Sequence, residues 1–442
     1  MKLKNGYKYS LVDKASTIIT AKPFAYVLKS SSRYERCDHC FISDTQLLKC
    51  SGCQYVYYCD RKCQKESWSI HKQECSNLKR IVPRVIPDAA RLMAKIIIKL
   101  NLGGGEECGY YTETKYRKFK DLMSHYSDIK NSEEKMEHFT SLCGVLLEFF
   151  GNTPIPNSAE LMGIYGRMCI NSFNILNEDM NSIGVGIYLA PSILDHSCEP
   201  NATVIFEGTR IIIRTLQDLP SLDWSNIRIS YIDLLNTTKD RKAELQSSYY
   251  FLCECEKCKT EKPEAEAAAC PNVSCTYPCS VNDDKCTKCG AEYPVGFKEN
   301  FNEVTEFTKH HLQDMKIMAY LDVSKICLKR QKGVLHSLNV KHVRTLESAF
   351  DAAINLSSWE EAEEYSKLLL PGYLLYYGYI HSLTGLLYLM RGKIQLYLNK
   401  PKQAFEMLRK AHDILVITHG EKHSLVKDTV KRLLYKATLE AD

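Results

Sequence analysis

The sequence lacks long apolar runs and a strong excess of charge of either sign. Its most apolar helical stretch, residues 92–100, is interrupted by Lys95 and Lys99 and is far too short to span a bilayer. No apolar segment follows residues 1–4, so we expect neither a secretory signal nor contact with a membrane. The net charge of +5 over 442 residues is modest and does not by itself indicate a nucleic-acid-binding protein.

The cysteine spacing argues against a disulfide-bonded protein. The chain has 20 cysteines, which would be many for a disulfide protein of this size, but they fall largely into the close pairs typical of metal sites. Reduced thiols and the lack of a signal predict a location in the cytoplasm and nucleus. Apolar and charged fractions of 45% and 25% are those of an ordinary soluble protein. At this length we expect roughly two to four domains in a monomer.

One stretch, residues 37–75, holds eight candidate metal ligands in paired spacing. They are Cys37, Cys40, Cys50, Cys53, Cys59, Cys63, His71 and Cys75. A short C-x2-C step places two thiolates on one turn, where both reach a single tetrahedral ion at about 2.3 Å. The stretch therefore predicts a module with two closed zinc sites, folded mainly by metal binding. Spacing alone leaves crossed and sequential pairing open, and a disulfide cluster is the alternative to zinc.

These residues resemble the MYND zinc finger. The resemblance implies crossed pairing, with Cys37, Cys40, Cys59 and Cys63 on one ion and Cys50, Cys53, His71 and Cys75 on the other. It also implies partners with proline-rich segments. The finger is basic through Lys49, Arg61, Lys62, Lys65 and Lys72, which would suit an acidic partner or nucleic-acid phosphates, or form a solvated surface. DNA contact is the least favoured function, because the finger has no helix-in-groove signature.

A second motif runs Asp195-His196-Ser197-Cys198-Glu199-Pro200-Asn201. Tyr231 follows, then Tyr249-Tyr250-Phe251, then three closely spaced cysteines. Together with Cys198, these three could close a third zinc site: they are Cys253, Cys255 and Cys258. This order resembles the SET-domain lysine methyltransferases, which carry a post-SET zinc site after the catalytic tyrosine.

A SET core split by a MYND finger and followed by helices is the layout of the SMYD family, which the chain resembles over nearly its whole length. The family implies an α+β multidomain protein. Its domains would be an N-terminal part of the SET core with a clipped entry strand (1–30), the MYND finger (31–79), a helical SET insertion (80–165), the SET core (166–235), a post-SET zinc segment (236–259), a Cys-rich linker (260–298) and a helical, TPR-like C-terminal domain (299–442).

Hydrophobic patterns predict the main elements. Strands are expected at 17–19, 24–28 and 227–232, and a hairpin joined at Gly208 from Ala202–Glu207 and 209–215. Helices are expected at 87–100 and 132–150, a charged linker at 259–269, and helices beyond 299. Small and large residues at helix-pair spacing support a tetratricopeptide-like unit, with an irregular bundle as the alternative; they are Gly392, Ala404, Leu408 and Ala411.

The family implies an S-adenosylmethionine-dependent protein-lysine N-methyltransferase of the histone-lysine type, acting on histone tails or other lysine-bearing peptides. Methyl transfer needs a neutral amine, although free lysine has a pKa of about 10.4. A narrow apolar channel and the cofactor's positive charge would lower that pKa. The resemblance assigns the catalytic phenol to Tyr231 and the channel walls to Phe173 and Tyr249. The alternative is a catalytically weak or inactive adaptor that binds partners through the finger and the C-terminal helices.

The same resemblance implies the cofactor-binding residues. They are Lys4, Asn5, Gly6, His125, Asn171, Asp195, His196, Tyr231 and Phe251. Without the family, the aromatic residues could be ordinary core and His125 a helix-face histidine. Lys4-Asn5-Gly6 stands where the family has Gly-x-Gly, and a lysine there cannot take glycine-only backbone angles without strain. Ser16 replaces a turn glycine and Asp195 an asparagine, so cofactor affinity is in question.

A last cysteine group follows the expected linker. Cys270, Cys275, Cys286 and Cys289 have a spacing similar to a zinc ribbon, with Cys279 to spare. The alternative is an unmetallated loop of reduced thiols. We therefore expect three zinc ions and weigh a fourth.

Overall fold

The computed structural model describes residues 11–43, 45–260, 262–315 and 320–441. These form a helix-rich α+β protein whose residues divide into two compact units. The first takes in the chain up to His196, Pro200–Ile229 and Gln246–Phe251. The second takes in Ser197–Glu199, Ser230–Leu245 and the chain from Leu252 onward. The predicted cofactor residues Lys4, Asn5 and Gly6 lie outside the described residues.

The strands belong to the first unit. They are β1 (Thr17–Ala21), β2 (Ala25–Leu28), β3 (Leu48–Lys49), β4 (Tyr57–Tyr58), β5 (Gly109–Tyr110), β6 (Tyr116–Arg117), β7 (Ser172–Leu176), β8 (Ser182–Ile187), β9 (Asp195–His196), β10 (Ala202–Glu207), β11 (Arg210–Thr215) and β12 (Arg228–Ile229). Two antiparallel three-stranded sheets have the orders β1-β11-β10 and β2-β8-β7. The short pairs are β3 with β4, β5 with β6, and the parallel pair β9 with β12.

Alternating burial explains the predicted hairpin. In β11 the side chains of Ile211, Ile213 and Thr215 are buried, while Arg210 is exposed. This period of two is that of a strand with one face on a core. The register pairs Ala202 with Thr215, so the hairpin joined at Gly208 is confirmed.

Among the described residues, the first unit also contains α-helices. They are α1 (Arg61–Ile81), α2 (Asp88–Asn101), α3 (Tyr126–Lys130), α4 (Glu133–Phe150) and α5 (Ser158–Asn171). Residues 90–98 of α2 are all buried, and the helix packs against β2, α1, α4 and α5. Ser132 caps α4 by accepting a hydrogen bond from the Lys135 amide. The predicted helices at 87–100 and 132–150 are confirmed to within a residue.

Most of the remaining helices belong to the second unit, although α6 contributes residues to both. They are α6 (Thr238–Tyr249), α7 (Glu256–Lys259), α8 (Phe297–Met315), α9 (Leu321–Gln331), α10 (Val340–Asn355), α11 (Trp359–Tyr376), α12 (Ser382–Tyr397), α13 (Pro401–Thr418) and α14 (Lys431–Ala441). A π-helical stretch, Leu425–Val430, precedes α14. Within the described ranges, no helix combines the length and apolarity needed to cross a membrane.

Helices α12 and α13 meet closely at the small residues that the sequence singled out. A Cβ on Gly392 would lie 2.6 Å from the Leu408 side chain. Ala404, Leu408 and Ala411 are fully buried. The predicted close packing of this helix pair is therefore confirmed.

Three local features differ from the expectations. Residues 166–171, at the start of the expected SET core, are the end of α5, which a capping box of Asn157 and Glu160 starts. The strand expected at 227–232 pairs only over Arg228–Ile229, because its partner β9 is two residues long. Residues 259–269 are more than a charged linker, since Ala265, Ala267 and Ala268 are buried within the second unit.

Candidate functional site

The finger residues form two groups of four ligand atoms. One group is Cys37, Cys40, Cys59 and Cys63, and the other is Cys50, Cys53, His71 and Cys75. Within each group, all ligand atoms lie within 4.8 Å of one another. This is the crossed pairing that the family resemblance implies.

Distances within both groups fit a tetrahedral zinc site. A zinc–sulfur bond of about 2.3 Å sets the edges of a tetrahedron of sulfurs at about 3.8 Å. The Sγ of Cys59 lies 3.7 Å from that of Cys40 and 3.4 Å from that of Cys63. In the second group, the His71 Nε2 lies 3.4 Å from the Cys50 Sγ and 3.7 Å from the Cys53 Sγ. A disulfide bond is about 2.05 Å long, so these thiols are not paired covalently.

Local structure places the finger ligands. The Cys37 carbonyl accepts a hydrogen bond from the Phe41 amide at 2.9 Å, which closes the turn between the first two ligands. Strands β3 and β4 form a small hairpin whose connecting loop carries Cys50 and Cys53. Helix α1 is then capped by Asp60, whose carboxylate accepts a hydrogen bond from the Cys63 amide at 2.7 Å. The helix carries Cys63 to the first group, and His71 and Cys75 to the second.

A buried charge network holds the finger against α2. The His71 Nδ1 lies 3.1 Å from Glu74, and the Arg91 guanidinium donates to both Glu74 and Asp38 at 2.7–3.2 Å. The three charged side chains are at most 7% exposed. Burial alone would raise the pKa of Glu74, but the charges of Arg91 and Lys95 lower it below the usual range. The network orients His71, and sequence reasoning missed it because Arg91 is distant in the chain.

A third ligand group lies in the second unit. The Sγ atoms of Cys198, Cys253, Cys255 and Cys258 lie within 4.8 Å of one another, with 3.5 Å between Cys198 and Cys258. The buried Arg241 donates to the Cys258 Sγ at 3.7 Å and to the Asn236 carbonyl at 2.8 Å. A cation beside four thiolates offsets part of their charge. The predicted four cysteines come together, and Arg241 is an addition that spacing did not reveal.

Two histidines from distant segments lie against the 249–251 aromatic segment in the first unit. His196, on β9, has its ring 6.0 Å from that of Phe251. The His125 ring is 5.1 Å from that of Tyr250, and its Nδ1 lies 2.9 Å from Asp128. The structure thus brings together three of the predicted cofactor residues around one aromatic segment.

Tyr250 is a neighbour that the sequence did not single out. Its φ of 61° and the 45° of His125 are both left-handed, a strained conformation for non-glycine residues that is concentrated at functional sites. The Tyr250 hydroxyl is buried, and the described residues offer it no hydrogen-bond partner. Burial and the Asp128 carboxylate raise the pKa of Tyr250, so the phenol stays protonated. An unpaired buried donor beside His125 fits a polar ligand there.

The other predicted cofactor residues of the first unit fix local structure. Asn171 donates to the Met123 carbonyl at 2.8 Å, which ties the end of α5 to the loop before His125. Asp195 is exposed, and its carboxylate lies 3.8 Å from the Arg228 guanidinium. Asn201, which ends the histidine motif and was not predicted to bind the cofactor, accepts a hydrogen bond from the Arg228 amide at 2.8 Å and so joins the motif to β12.

The three predicted channel residues are aromatic side chains with intermediate exposure. Phe173 lies on β7 and packs edge-to-face on Tyr188 at 5.8 Å. Tyr249 ends α6. Tyr231 follows β12 by two residues and belongs to the second unit. Their assignment to one channel stays a prediction.

Comparisons with known proteins identify the finger and relatives that align with most of the chain. A family model described as the MYND finger matches residues 37–75. Histone-lysine N-methyltransferase SMYD3 of Mus musculus is 30% identical over 418 residues, which cover 93% of this chain and 90% of the relative. Histone-lysine N-methyltransferase ASHR1 of Arabidopsis thaliana is 29% identical over 436 residues, covering 94% and 89%. N-lysine methyltransferase SMYD2 of Homo sapiens is 25% identical over 413 residues, covering 93% and 91%.

The match to SMYD3 extends far beyond the finger. The finger alone would identify a binding module, whereas an alignment over nine-tenths of both chains includes the histidine motif, the 249–251 segment and the helical second unit. Zinc is the metal that the finger and the tetrahedral Cys/His groups support. The chain belongs to the SMYD family.

Proposed function

We propose that the chain is an S-adenosylmethionine-dependent protein-lysine N-methyltransferase. In this proposal residues 166–235, with the N-terminal strands, form a SET core, and residues 299–442 form a TPR-like domain. The supporting observation is the meeting of His125 and His196 at the 249–251 segment, in a chain that aligns with named lysine methyltransferases over most of its length. The adjoining unpaired hydroxyl of Tyr250 fits a polar cofactor.

The cofactor supplies an electrophilic methyl group on a sulfonium. His196 and Phe251 would hold the adenine side, Asn171 the amino-acid side and His125 the ribose side. Asp195 would add a negative charge that attracts the cation. The buried side chains of Ile183 and Ile187 on β8 would help to exclude water from the transferred methyl.

Tyr231 would position the substrate amine. Its phenol oxygen can accept a hydrogen bond from the neutral lysine Nζ and keep the nitrogen lone pair aimed at the methyl carbon. Phe173 and Tyr249 would form apolar walls that disfavour the charged ammonium, so the lysine enters as the amine. The neutral lysine amine is itself the nucleophile, so none is required of the protein, and the proton lost before transfer would leave to solvent.

We further propose histone tails or other lysine-bearing peptides as substrates, proline-rich segments as finger partners, and a monomer in the cytoplasm and nucleus. An adaptor without catalysis is the second candidate. It is favoured by Lys4, since a lysine stands where the family places a glycine beside the cofactor.

Methyl transfer to a mixture of histones and lysine peptides tests the proposal directly. Tyr231→Phe should lower transfer by about 10² to 10⁴-fold, because it removes the phenol that positions the amine. Tyr435→Phe is the matched control, since Tyr435 is 67% exposed on α14, and it should leave transfer unchanged. Equal transfer by Tyr231→Phe and wild type would remove the role given to Tyr231. No transfer by the wild type to any of these substrates would favour the adaptor.

A further inference from the structure

A fourth cysteine group lies in residues 268–297, which belong to the second unit and lie outside both the family-model match and the Cys198 group. The Sγ atoms of Cys270, Cys275, Cys286 and Cys289 all lie within 4.8 Å of one another. The separation is 3.4 Å between Cys270 and Cys289 and 4.0 Å between Cys275 and Cys286. These two sulfur–sulfur distances lie on either side of the edge of about 3.8 Å that a tetrahedral zinc–thiolate site requires. Both are far longer than a disulfide bond.

The backbone of this segment repeats a turn from the finger. The Gly290 amide donates to the Cys286 carbonyl at 2.8 Å, and the Cys286 amide donates to the Ala291 carbonyl at 2.8 Å. In the finger, the Phe41 amide donates to the Cys37 carbonyl at 2.9 Å, and the Cys37 amide donates to the Ile42 carbonyl at 3.1 Å.

The residue after the second cysteine is left-handed in both turns, with φ of 74° at Gly290 and 64° at Phe41. The same geometry therefore presents two thiols to one point at both places. This agreement is independent of the sulfur distances, because it concerns main-chain hydrogen bonds and dihedral angles.

Around the four thiols the segment has little apolar core of its own, although Ala268, Val281 and Phe297 pack in a separate cluster with residues of α8 and the segment before α10. Its buried cluster consists of Cys270, Cys279 and Cys286, with Cys275, Ala291 and Tyr293 packed beside them. A core made mostly of thiols buries too little apolar surface to offset the entropy of ordering the loops. A metal ion would supply the missing free energy, as in other small metal-folded modules.

We propose that Cys270, Cys275, Cys286 and Cys289 bind a fourth, structural zinc ion. Cys279 is not a ligand: its Sγ lies 3.4 Å from the Tyr277 carbonyl, and its main chain pairs with Ala268. Four protein ligands leave no open position, so the site has a structural and not a catalytic role. It does not depend on the proposed methyltransferase activity.

The ion would fix the segment to the helices of the second unit. Tyr293 donates to the Ala269 carbonyl at 2.9 Å and stacks at 4.3 Å on Phe297, the first residue of α8. A second contact involves His336, which lies just before α10. Its ring nitrogen Nε2 is 3.0 Å from the Thr276 carbonyl of the segment. The site thus connects the start of α8 to the segment between α9 and α10.

Counting zinc by native mass spectrometry of the full chain tests the proposal. We expect four ions in the wild type, three in a C286S/C289S double variant, and four in the matched control Cys279→Ser. Circular dichroism establishes that each variant is folded. A double variant that keeps the wild-type count would overturn the proposal. Should that variant fail to fold, the wild-type count decides: four ions support the fourth site and three overturn it.

Discussion

Arg91 is the residue on which the finger's attachment to α2 most depends. It pairs with Asp38 and Glu74, which are almost fully buried, and Glu74 in turn contacts the zinc-ligand candidate His71. Paired charges of this kind add little net stability, but removal of one partner leaves the others buried and uncompensated. The network therefore acts chiefly to fix how the finger meets the helix.

Arg91→Ala should lower the free energy of unfolding by about 3–5 kcal/mol, because two buried carboxylates lose the cation that donates hydrogen bonds to them and keep only Lys95, at 3.6 and 4.0 Å. Arg84→Ala is the control, since its pair with Glu148 is more than half exposed on both sides. That change should cost about 0–1 kcal/mol. Urea denaturation of both variants measures the difference. A similar loss for the two would contradict the assigned importance of the buried network.

Glu347 should make the stability of the second unit depend on pH. Burial raises its pKa from 4.5 to about 7, although Tyr373 donates a hydrogen bond to it and Arg344 lies nearby; Asp233 and Asp351 add negative charge. Because the pKa of Glu347 is higher in the folded than in the unfolded chain, folding favours the protonated carboxyl. The contribution of protonated Glu347 to the free energy of unfolding is therefore complete below pH 4.5 and is lost as the pH rises through about 7.

Glu347→Gln should flatten this dependence between pH 5 and pH 7. Thermal unfolding across that range, compared with wild type and with Glu406→Gln, measures it; Glu406 is exposed on α13. If Glu347→Gln and wild type lose stability in parallel, then Glu347 is not the titrating group.

Helices α12 and α13 can approach each other closely because Gly392 has no side chain. Gly392→Ala would place a methyl group 2.6 Å from Leu408, so the helices must separate, at a cost of about 1–3 kcal/mol. Gly144 on α4 is the matched control, because nothing lies within 4 Å of its added Cβ. Gly144→Ala should stabilise the chain by about 0.5–1 kcal/mol. Differential scanning calorimetry should show shifts of opposite sign; shifts of one sign would refute the packing argument.

Elements with a strong local pattern could be predicted from the sequence. The β10–β11 hairpin, α2, α4 and the close cysteine pairs all follow from spacing of a few residues, whereas the crossed pairing in the finger came from the family resemblance. The extension of α5 to Asn171 could not be predicted, because it depends on the helix that the capping box starts. Nor could the shortness of β12, because it is set by the two-residue partner strand β9. Arg91 and Tyr250 were missed because their partners Asp38 and His125 are remote in the chain. Arg241 was missed because no spacing rule links it to Cys258, 17 residues away.

At the scale of the whole molecule, the family and the metal groups explain how the chain is built. Zinc bound by clusters of thiols and one histidine would supply folding free energy to the cysteine-rich segments. Sheets and helices form apolar cores elsewhere. The cofactor site is proposed at the 249–251 segment, next to His125 and His196. Lys4 is the sequence feature that most challenges this account.

Calorimetric titration of the purified full chain with S-adenosylmethionine tests the central claim most directly. The account predicts saturable binding with a dissociation constant in the micromolar range, which would show that Lys4 is tolerated. No heat of binding, from a chain that is folded and loaded with zinc, would contradict a methyltransferase and leave the adaptor as the function of this protein.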